Sequence, residues 1–246
     1  MSHEKSILIT GASRGIGKAL CLEALQRGYR VHAAVREIGA APAGTQPHLL
    51  SDVRDRTAVA KLLETLAPEL THFVSNAGVG EPLSPKKADT ADKAADLMEI
   101  NSTASIYSAY RIAYEWIRLE KKKTHITLIS SLSAGRGLPR NGPYVASKTA
   151  QLSFAQGFEH DVATYGIGVS VVLPGFIDTD MTADLPQKPF LISSAEAARR
   201  IMDGMEAGTF RISFPLPTRF GAWLLNALPE PLFRTLVSFL HRKRFF

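Results

Sequence analysis

The chain has one cysteine, Cys21, so no disulfide can form within it, and a reducing compartment is compatible. The residues around Cys21 read as helical, which makes the thiol a small packed side chain rather than a reactive one. No apolar run reaches the length of a bilayer span. Met1 to Lys5 is polar and leads into only four apolar-leaning residues, so no secretory signal is expected and the cytoplasm is the expected location. A length of 246 residues suffices for one large α/β domain, expected over 1–246, and falls short of two with separate cores. The net charge of +6 is moderate. Part of it lies in Lys121-Lys122-Lys123 and Arg242-Lys243-Arg244, each near an expected helix end, where cations complement the dipole. No nucleic-acid reading motif accompanies them, so nucleic acid is not an expected partner, and no metal site is expected.

What the chain does have begins at its first strand. Lys5 to Thr10 reads as a short buried strand, followed by Gly11-Ala12-Ser13-Arg14-Gly15-Ile16-Gly17, a helical pattern to about Arg27, and a second strand from Arg30 to Val35. Strand, glycine-rich turn, helix and strand open a dinucleotide-binding fold. Glycines let the backbone approach a pyrophosphate, and the helix N-terminus offers free N–H groups and a positive dipole. The spacing is Gly-x-x-x-Gly-x-Gly. After Val35, where an acid would hold an adenosine ribose as a diol, the chain has Arg36. Arg36 with Arg14 favours the extra 2′-phosphate of NADP(H), while NAD(H) remains an admissible cofactor.

Residues 37–47 show no helical periodicity and read as loop or one helical turn. A short strand at His48 to Leu50, a helix from Arg56 to Leu66 and a strand from Thr71 to Ser75 follow. The connection Glu81 to Lys93 precedes one long expected helix, Ala94 to Lys121, containing Asn101. Ile126 to Ile129 is a buried strand that delivers Ser130-Ser131 at its C-terminal end, the end where open parallel sheets bind ligands. A helix from about Pro143 to Tyr165 then carries Tyr144 and Lys148, and Val169 to Leu173 is a strand ending at Pro174-Gly175. A tyrosine and a lysine four apart share a helix face, with about 5–6 Å between β-carbons. At that range the ammonium is expected to pull the phenol's pKa down and make it a general acid.

Thr10 to Gly17, Asp52-Val53, Asn76-Ala77-Gly78, Asn101, Ser131, Tyr144-x-x-x-Lys148 and Pro174-Gly175-x-Ile177-x-Thr179 occur together and in order over residues 5 to about 182. In this the chain resembles the short-chain dehydrogenase/reductase family. The resemblance implies a doubly wound (Rossmann) α/β fold, a parallel sheet of about seven strands with helices on both faces. It implies an NADP(H)-preferring oxidoreductase that interconverts a carbonyl and a secondary alcohol. Its tetrad falls on Asn101, Ser131, Tyr144 and Lys148: Tyr144 as proton donor or acceptor, Lys148 lowering its pKa and binding the nicotinamide ribose, and Ser131 bonded to the substrate oxygen. Asn101 would sit at a helix kink whose backbone carbonyl holds a relay water. Ser130 and Ser133 compete with Ser131, but the spacing to Tyr144 favours Ser131. For the cofactor the resemblance implies Gly11, Ser13, Arg14, Gly15, Ile16 and Gly17 in the turn. Asp52 and Val53 would lie at the adenine, Asn76, Ala77 and Gly78 at its ribose, and Pro174, Gly175, Ile177 and Thr179 toward the carboxamide. Asp52 could instead cap the following helix, with Asp55 and Thr57 as rivals. A homodimer or homotetramer is implied, through the helices beginning near Asp96 and Pro143.

Beyond Thr179 no motif guides the reading. Residues 180–195 are expected to be a substrate lid, and Ser193 or Ser194 to cap a helix from Ala195 to Met205. Phe210 to Ser213 can be the last strand. Residues 215–246 form a C-terminal helical extension with two apolar stripes. One contains Phe220, Trp223, Leu224 and Leu228; the other contains Leu232, Phe233, Leu236, Val237 and Leu240. Three readings stay open: packing on the body or a subunit interface, the wall of a site for a hydrophobic substrate, or peripheral contact with a membrane surface. A non-catalytic NADP-binding sensor or scaffold is the alternative of a different class.

Overall fold

The computed structural model describes residues 5–183, 185 and 187–242. Its strands are β1 (Ser6–Thr10), β2 (Arg30–Val35), β3 (Gln46–Leu49), β4 (His72–Ser75), β5 (Thr124–Ile129), β6 (Ile167–Pro174), β7 (Ile177–Asp178), β8 (Ile192–Ser193) and β9 (Arg211–Phe214). Its helices are α1 (Gly15–Gln26), α2 (Arg56–Leu66), α3 (Thr90–Met98), α4 (Ala104–Arg118), α5 (Gly142–Ala163), α6 (Ser194–Glu206), α7 (Leu216–Ala227) and α8 (Glu230–Arg242). Seven strands form one parallel sheet in the order β3-β2-β1-β4-β5-β6-β9.

The central strands are buried on both faces, which is why their sequences are mostly apolar and do not alternate with exposed polar residues. Alternation reappears in the packing. Ile7, Ile9, Val31, Ala33 and Val74 meet α1 and α6 through Leu20, Cys21, Ile201 and Met205. Leu8, Phe73, Ile126, Leu128 and Val171 point the other way, onto Leu63, Ile112, Trp116 and Phe158 of α2, α4 and α5. Helices therefore cover both faces, as the doubly wound reading requires. Burial pushes the Cys21 thiol up to about 12, which suits a packed and unreactive side chain. From β1 the chain moves outward to β3 and then crosses back to β4, so β1 and β4 flank the point where winding reverses. A crevice outside their carboxyl ends follows from that topology.

Several expectations need correction. The helix expected from Ala94 to Lys121 starts earlier, at Thr90, and between α3 and α4 it has a wider turn over Glu99–Thr103 that contains Asn101, where the resemblance placed a kink. An extra residue in one turn rotates the following face without interrupting the apolar pattern, so periodicity does not reveal it. Asp52 is not a cap; the Asp55 carboxylate accepts from Ala58 N at 3.0 Å and caps α2. Ser193 caps α6 by accepting from Glu196 N, as expected. Residues 177–178 and 192–193 pair as a small parallel ribbon at the base of the expected lid, of which Asp184 and Pro186 lie outside the described residues.

The stripe expected on α8 divides between two faces. Phe233 is buried and Val237 and Leu240 are half-buried, whereas Leu232, Leu236 and Phe239 are exposed. Of the stripe expected on α7, Phe220, Trp223 and Leu224 are exposed and only Leu228, just past the helix, is half-buried; Leu216 is exposed too. Lys243 and Arg244 of the terminal basic cluster lie outside the described residues. Among the described residues, no helix is long and apolar enough to cross a membrane.

Candidate functional site

The glycine turn leaves β1 with Gly11 at φ +64°, and the chain is so close to the β4 segment there that a β-carbon would lie 2.8 Å from Ala77 Cα. Gly17 is tighter: its β-carbon would lie 2.2 Å from Gly11 O. Asn76 clamps this turn by donating from Nδ2 to the carbonyls of Thr10 and Gly11, at 2.9 and 3.1 Å. The backbone N–H groups of Asn76 and Ala77 donate to Thr10 Oγ1. Ser13 and Ile16 belong to the same turn, and no acidic side chain occupies the first turn of α1, so its N-terminal dipole is left for an anion. Thr179 touches the turn from the far side, with its methyl 3.3 Å from where a Gly15 β-carbon would be. Arg14 reaches Asp180 at 3.3 Å, linking the turn to the segment after β7. Arg36 is exposed directly after β2. These close backbone approaches and cations fit a dinucleotide.

Val53 and Ala77 line one small cavity with Thr10, Leu50 and Ile100. Asp52 stands next to it, but its carboxylate is already engaged: Arg54 donates from Nε and Nη2 at 2.7 to 3.0 Å, and Arg54 N donates to Oδ1 at 2.8 Å. Arg54 thereby holds the Asp52 carboxyl below the usual carboxylate range. Pro174 ends β6, and Pro174 O accepts from Leu132 N at 2.9 Å. Gly175 lies where a β-carbon would press on Pro215 and Thr218, so α7 starts against this edge of the crevice; Ile177 is buried beside it.

The second half of the site gathers on α5. Lys148 Nζ donates to Ile129 O at 2.8 Å and to Gln151 Oε1 at 3.1 Å, and lies 5.8 Å from the centre of the Tyr144 ring. Ser131 acts on the Tyr144 phenol, favouring its ionised form. Ser131 Oγ in turn accepts from Ser133 N at 3.1 Å and from Ser133 Oγ at 2.9 Å. Ser130, the other candidate, is buried and donates to Lys148 O at 2.7 Å, so it braces α5 instead. Asn101 sits in the wide turn, fully buried. It accepts from Val79 N and donates to Val79 O, both at 2.8 Å, and donates to Ser147 Oγ at 3.1 Å. Ser147 donates to Tyr144 O at 2.7 Å. Gly78 joins these groups: a β-carbon there would come within 3.1 Å of Asn101 Oδ1 and 3.6 Å of Lys148 Nζ. Asn101, Ser131, Tyr144 and Lys148 are thus brought together at the carboxyl ends of β4 and β5.

Burial sets the electrostatics. It brings the Lys148 ammonium down to about 7. It raises the Tyr144 phenol above its usual value, while Ser131 draws it partly back. The expected lowering of the phenol by Lys148 is therefore not found. An ammonium close to half-discharged at neutral pH, and bonded to Ile129 O and Gln151, offers little charge to a phenolate in this arrangement.

Several participants were not anticipated. Gln151 is 1% exposed, and its Nε2 donates to Ser105 Oγ at 3.0 Å, which also accepts from Ser75 Oγ at 2.9 Å. A buried polar chain thus runs from Lys148 through Gln151 and Ser105 to the end of β4. Its members are 30 and 46 residues apart, and no local sequence signal announces it. Ser147 lies inside the Tyr-x-x-x-Lys motif and is the one that spacing could have flagged. Gly80 and Met181 wall the phenol: a β-carbon on Gly80 would lie 3.2 Å from the Tyr144 ring and 3.3 Å from Met181 Sδ. Arg54 was legible as a cation two residues from Asp52.

Residues 5–189 match the family model described as short chain dehydrogenase. An uncharacterised oxidoreductase of Myxococcus xanthus is 30% identical over 244 residues, covering 93% of this chain and 94% of that protein. The 3-oxoacyl-acyl-carrier-protein reductase FabG of Salmonella typhimurium is 32% identical over 214 residues, covering 81% and 85% of the two chains. Among solved structures, a short chain dehydrogenase from Burkholderia cenocepacia in complex with NADP superposes with a TM-score of 0.83 at 26% identity, covering 96% and 99%. The match spans the glycine turn, the sheet and the α5 cluster alike, and by it the chain belongs to the short-chain dehydrogenase/reductase family of NAD(P)-dependent oxidoreductases.

Proposed function

We propose that the chain is an NADP(H)-preferring oxidoreductase of the cytoplasm that interconverts a carbonyl and a secondary alcohol, with Tyr144 as acid and base. The observation that carries this reading is the gathering of Ser131, Tyr144 and Lys148 at one end of the sheet, with Lys148 Nζ bonded to Ile129 O and 5.8 Å from the centre of the Tyr144 ring. Gly11, Ser13, Gly15, Ile16, Gly17, Asn76, Ala77 and Gly78 would hold the dinucleotide, and Arg14 and Arg36 its 2′-phosphate. Asp52 and Val53 would face the adenine; Pro174, Gly175, Ile177 and Thr179 would border the carboxamide. When bound, this cofactor supplies the hydride exchange.

The chain's own part is protonation and charge stabilisation. The raised pKa keeps the phenol protonated at neutral pH, ready to donate to an oxygen that has just gained charge. Ser131, positioned by both bonds from Ser133, donates to that same oxygen. Lys148, titrating near 7, can return a proton toward the phenolate at neutral pH. Asn101 fixes the loop at Val79 and, through Ser147, the backbone of Tyr144. In oxidation the same phenol would act as the phenolate and accept the proton.

Met181 and Gly80 beside the phenol leave an apolar approach, which supports a hydrophobic carbonyl substrate under a lid of residues 180–195. Assembly into a dimer or tetramer through α4 and α5 is part of the proposal. Tyr110 and Tyr114 are exposed on α4, and Tyr110 lies against Phe154 and Phe158 of α5. The test is NADPH and NADH oxidation across a panel of ketones, aldehydes and quinones. Turnover with NADPH is expected; tight NADPH binding without turnover on any member would favour a sensor instead.

A further inference from the structure

We propose that α7 and α8 form a foot that docks on an anionic lipid surface. The observation is an apolar stripe turned away from the body. On α7, Thr218, Ala222 and Leu225 are half-buried, whereas Leu216, Phe220, Trp223 and Leu224 are 69%, 63%, 62% and 49% exposed. At 100° per residue these two sets fall on opposite sides of the helix. Phe220 and Trp223 stack on one another, with ring centres 5.8 Å apart. On α8, Leu232, Leu236 and Phe239 repeat the arrangement outside the anchoring Phe233, whose ring lies under Arg136.

Charge selects the occupant. Residues 215–246 contain five cations (Arg219, Arg234, Arg242, Lys243, Arg244) and one acid, Glu230, a net +4 of the chain's +6. That acid faces Arg136 at 3.8 Å, outside the extension. Arg219 and Arg242 are exposed and flank the two apolar stripes. Large apolar and aromatic side chains bordered by arginine are what an anionic membrane interface takes up. With 12 and 13 residues, the helices can lie on such a surface and not cross it.

The foot is fastened to the active-site loop. Asn226 Oδ1 accepts from Arg136 N at 3.1 Å, five residues after Ser131, and the start of α7 abuts Gly175. A carbonyl compound dissolved in the lipid would thus enter beside Tyr144. This consequence rests on the oxidoreductase reading; the docking itself does not.

The chain has two tryptophans, Trp116 at 0% and Trp223 at 62% exposure, so the emission shift on binding reports Trp223. The experiment is emission and co-sedimentation with phosphatidylcholine vesicles, with and without phosphatidylglycerol. Expected is a blue shift and pelleting with the anionic vesicles only, weakened by added salt. Arg219→Gln with Arg242→Gln should lower partitioning at least about tenfold, and Phe220→Ser with Phe239→Ser should abolish it. Both pairs are exposed, and circular dichroism checks that they fold. Absence of binding to anionic vesicles, or equal binding to neutral ones, overturns the proposal. So does a fall in oligomer size for Phe220→Ser without vesicle binding, which would make this face a subunit interface. Since no turnover is read, these outcomes are separate from failure of the oxidoreductase reading.

Discussion

Replacing Gln151 by methionine removes one acceptor from the Lys148 ammonium while keeping the side chain's length. The bond is 3.1 Å and buried, and its partner is cationic. Such a bond is worth about 1.5–3 kcal/mol, which acts on the charged form alone. That corresponds to about 1–2 pKa units, and it would move Lys148 down from about 7. At pH 7 the protonated fraction would then fall from about half to roughly one in ten or less, lowering kcat about five- to fiftyfold if the ammonium is needed. The assay is kcat for NADPH oxidation between pH 5 and 9 (about) with the best carbonyl substrate. The basic limb set by Lys148 should move to lower pH. Gln151→Glu should move it up, because a carboxylate favours the ammonium. A rate that drops equally at every pH in Gln151→Met, with the limb unmoved, would make Gln151 a packing residue and refute the reasoning.

Arg36→Asp should shift preference from NADPH toward NADH, read as the ratio of the two kcat/KM values; an unchanged ratio removes Arg36 from the phosphate site. Gly17→Ala puts a β-carbon 2.2 Å from Gly11 O and should abolish NADPH binding, measured by quenching or cofactor fluorescence, while circular dichroism shows the fold retained. Acid should destabilise the protein through His72 and His125, which burial lowers from 6.5 to about 4. Neutral imidazole is favoured in the fold, so this stability is complete above the unfolded pKa and is lost as pH falls toward 4. Each histidine should cost about 2 kcal/mol between pH 7 and 5, seen as a lower urea midpoint; equal midpoints would contradict the burial argument.

The sequence reveals the backbone half of the site because glycines and turn residues act locally. Gly11, Gly17 and Asn76 are placed where their motif puts them, since each is needed for a close approach between β1, α1 and β4. Tyr144 and Lys148 share a face because helix geometry fixes residues four apart. Protonation was not legible. The pKa of Tyr144 depends on how deeply the fold buries two side chains, and periodicity along α5 does not measure that. The kink at Asn101 came from the family resemblance and not from periodicity, since the wide turn at Glu99–Thr103 leaves the apolar pattern intact; the Gln151–Ser105–Ser75 chain was hidden because it joins segments far apart in sequence. The outward stripe of α7 was visible as a stripe, but which way it faces is a tertiary property.

The role of the Tyr144 phenol is tested most directly by single-turnover reduction with Tyr144→Phe, NADPH binding being monitored in the same samples. NADPH should bind as in the parent protein while the rate of hydride transfer falls about 10²–10⁴-fold. A phenylalanine variant that reduces the same carbonyl at the parent's rate would contradict the role of that proton.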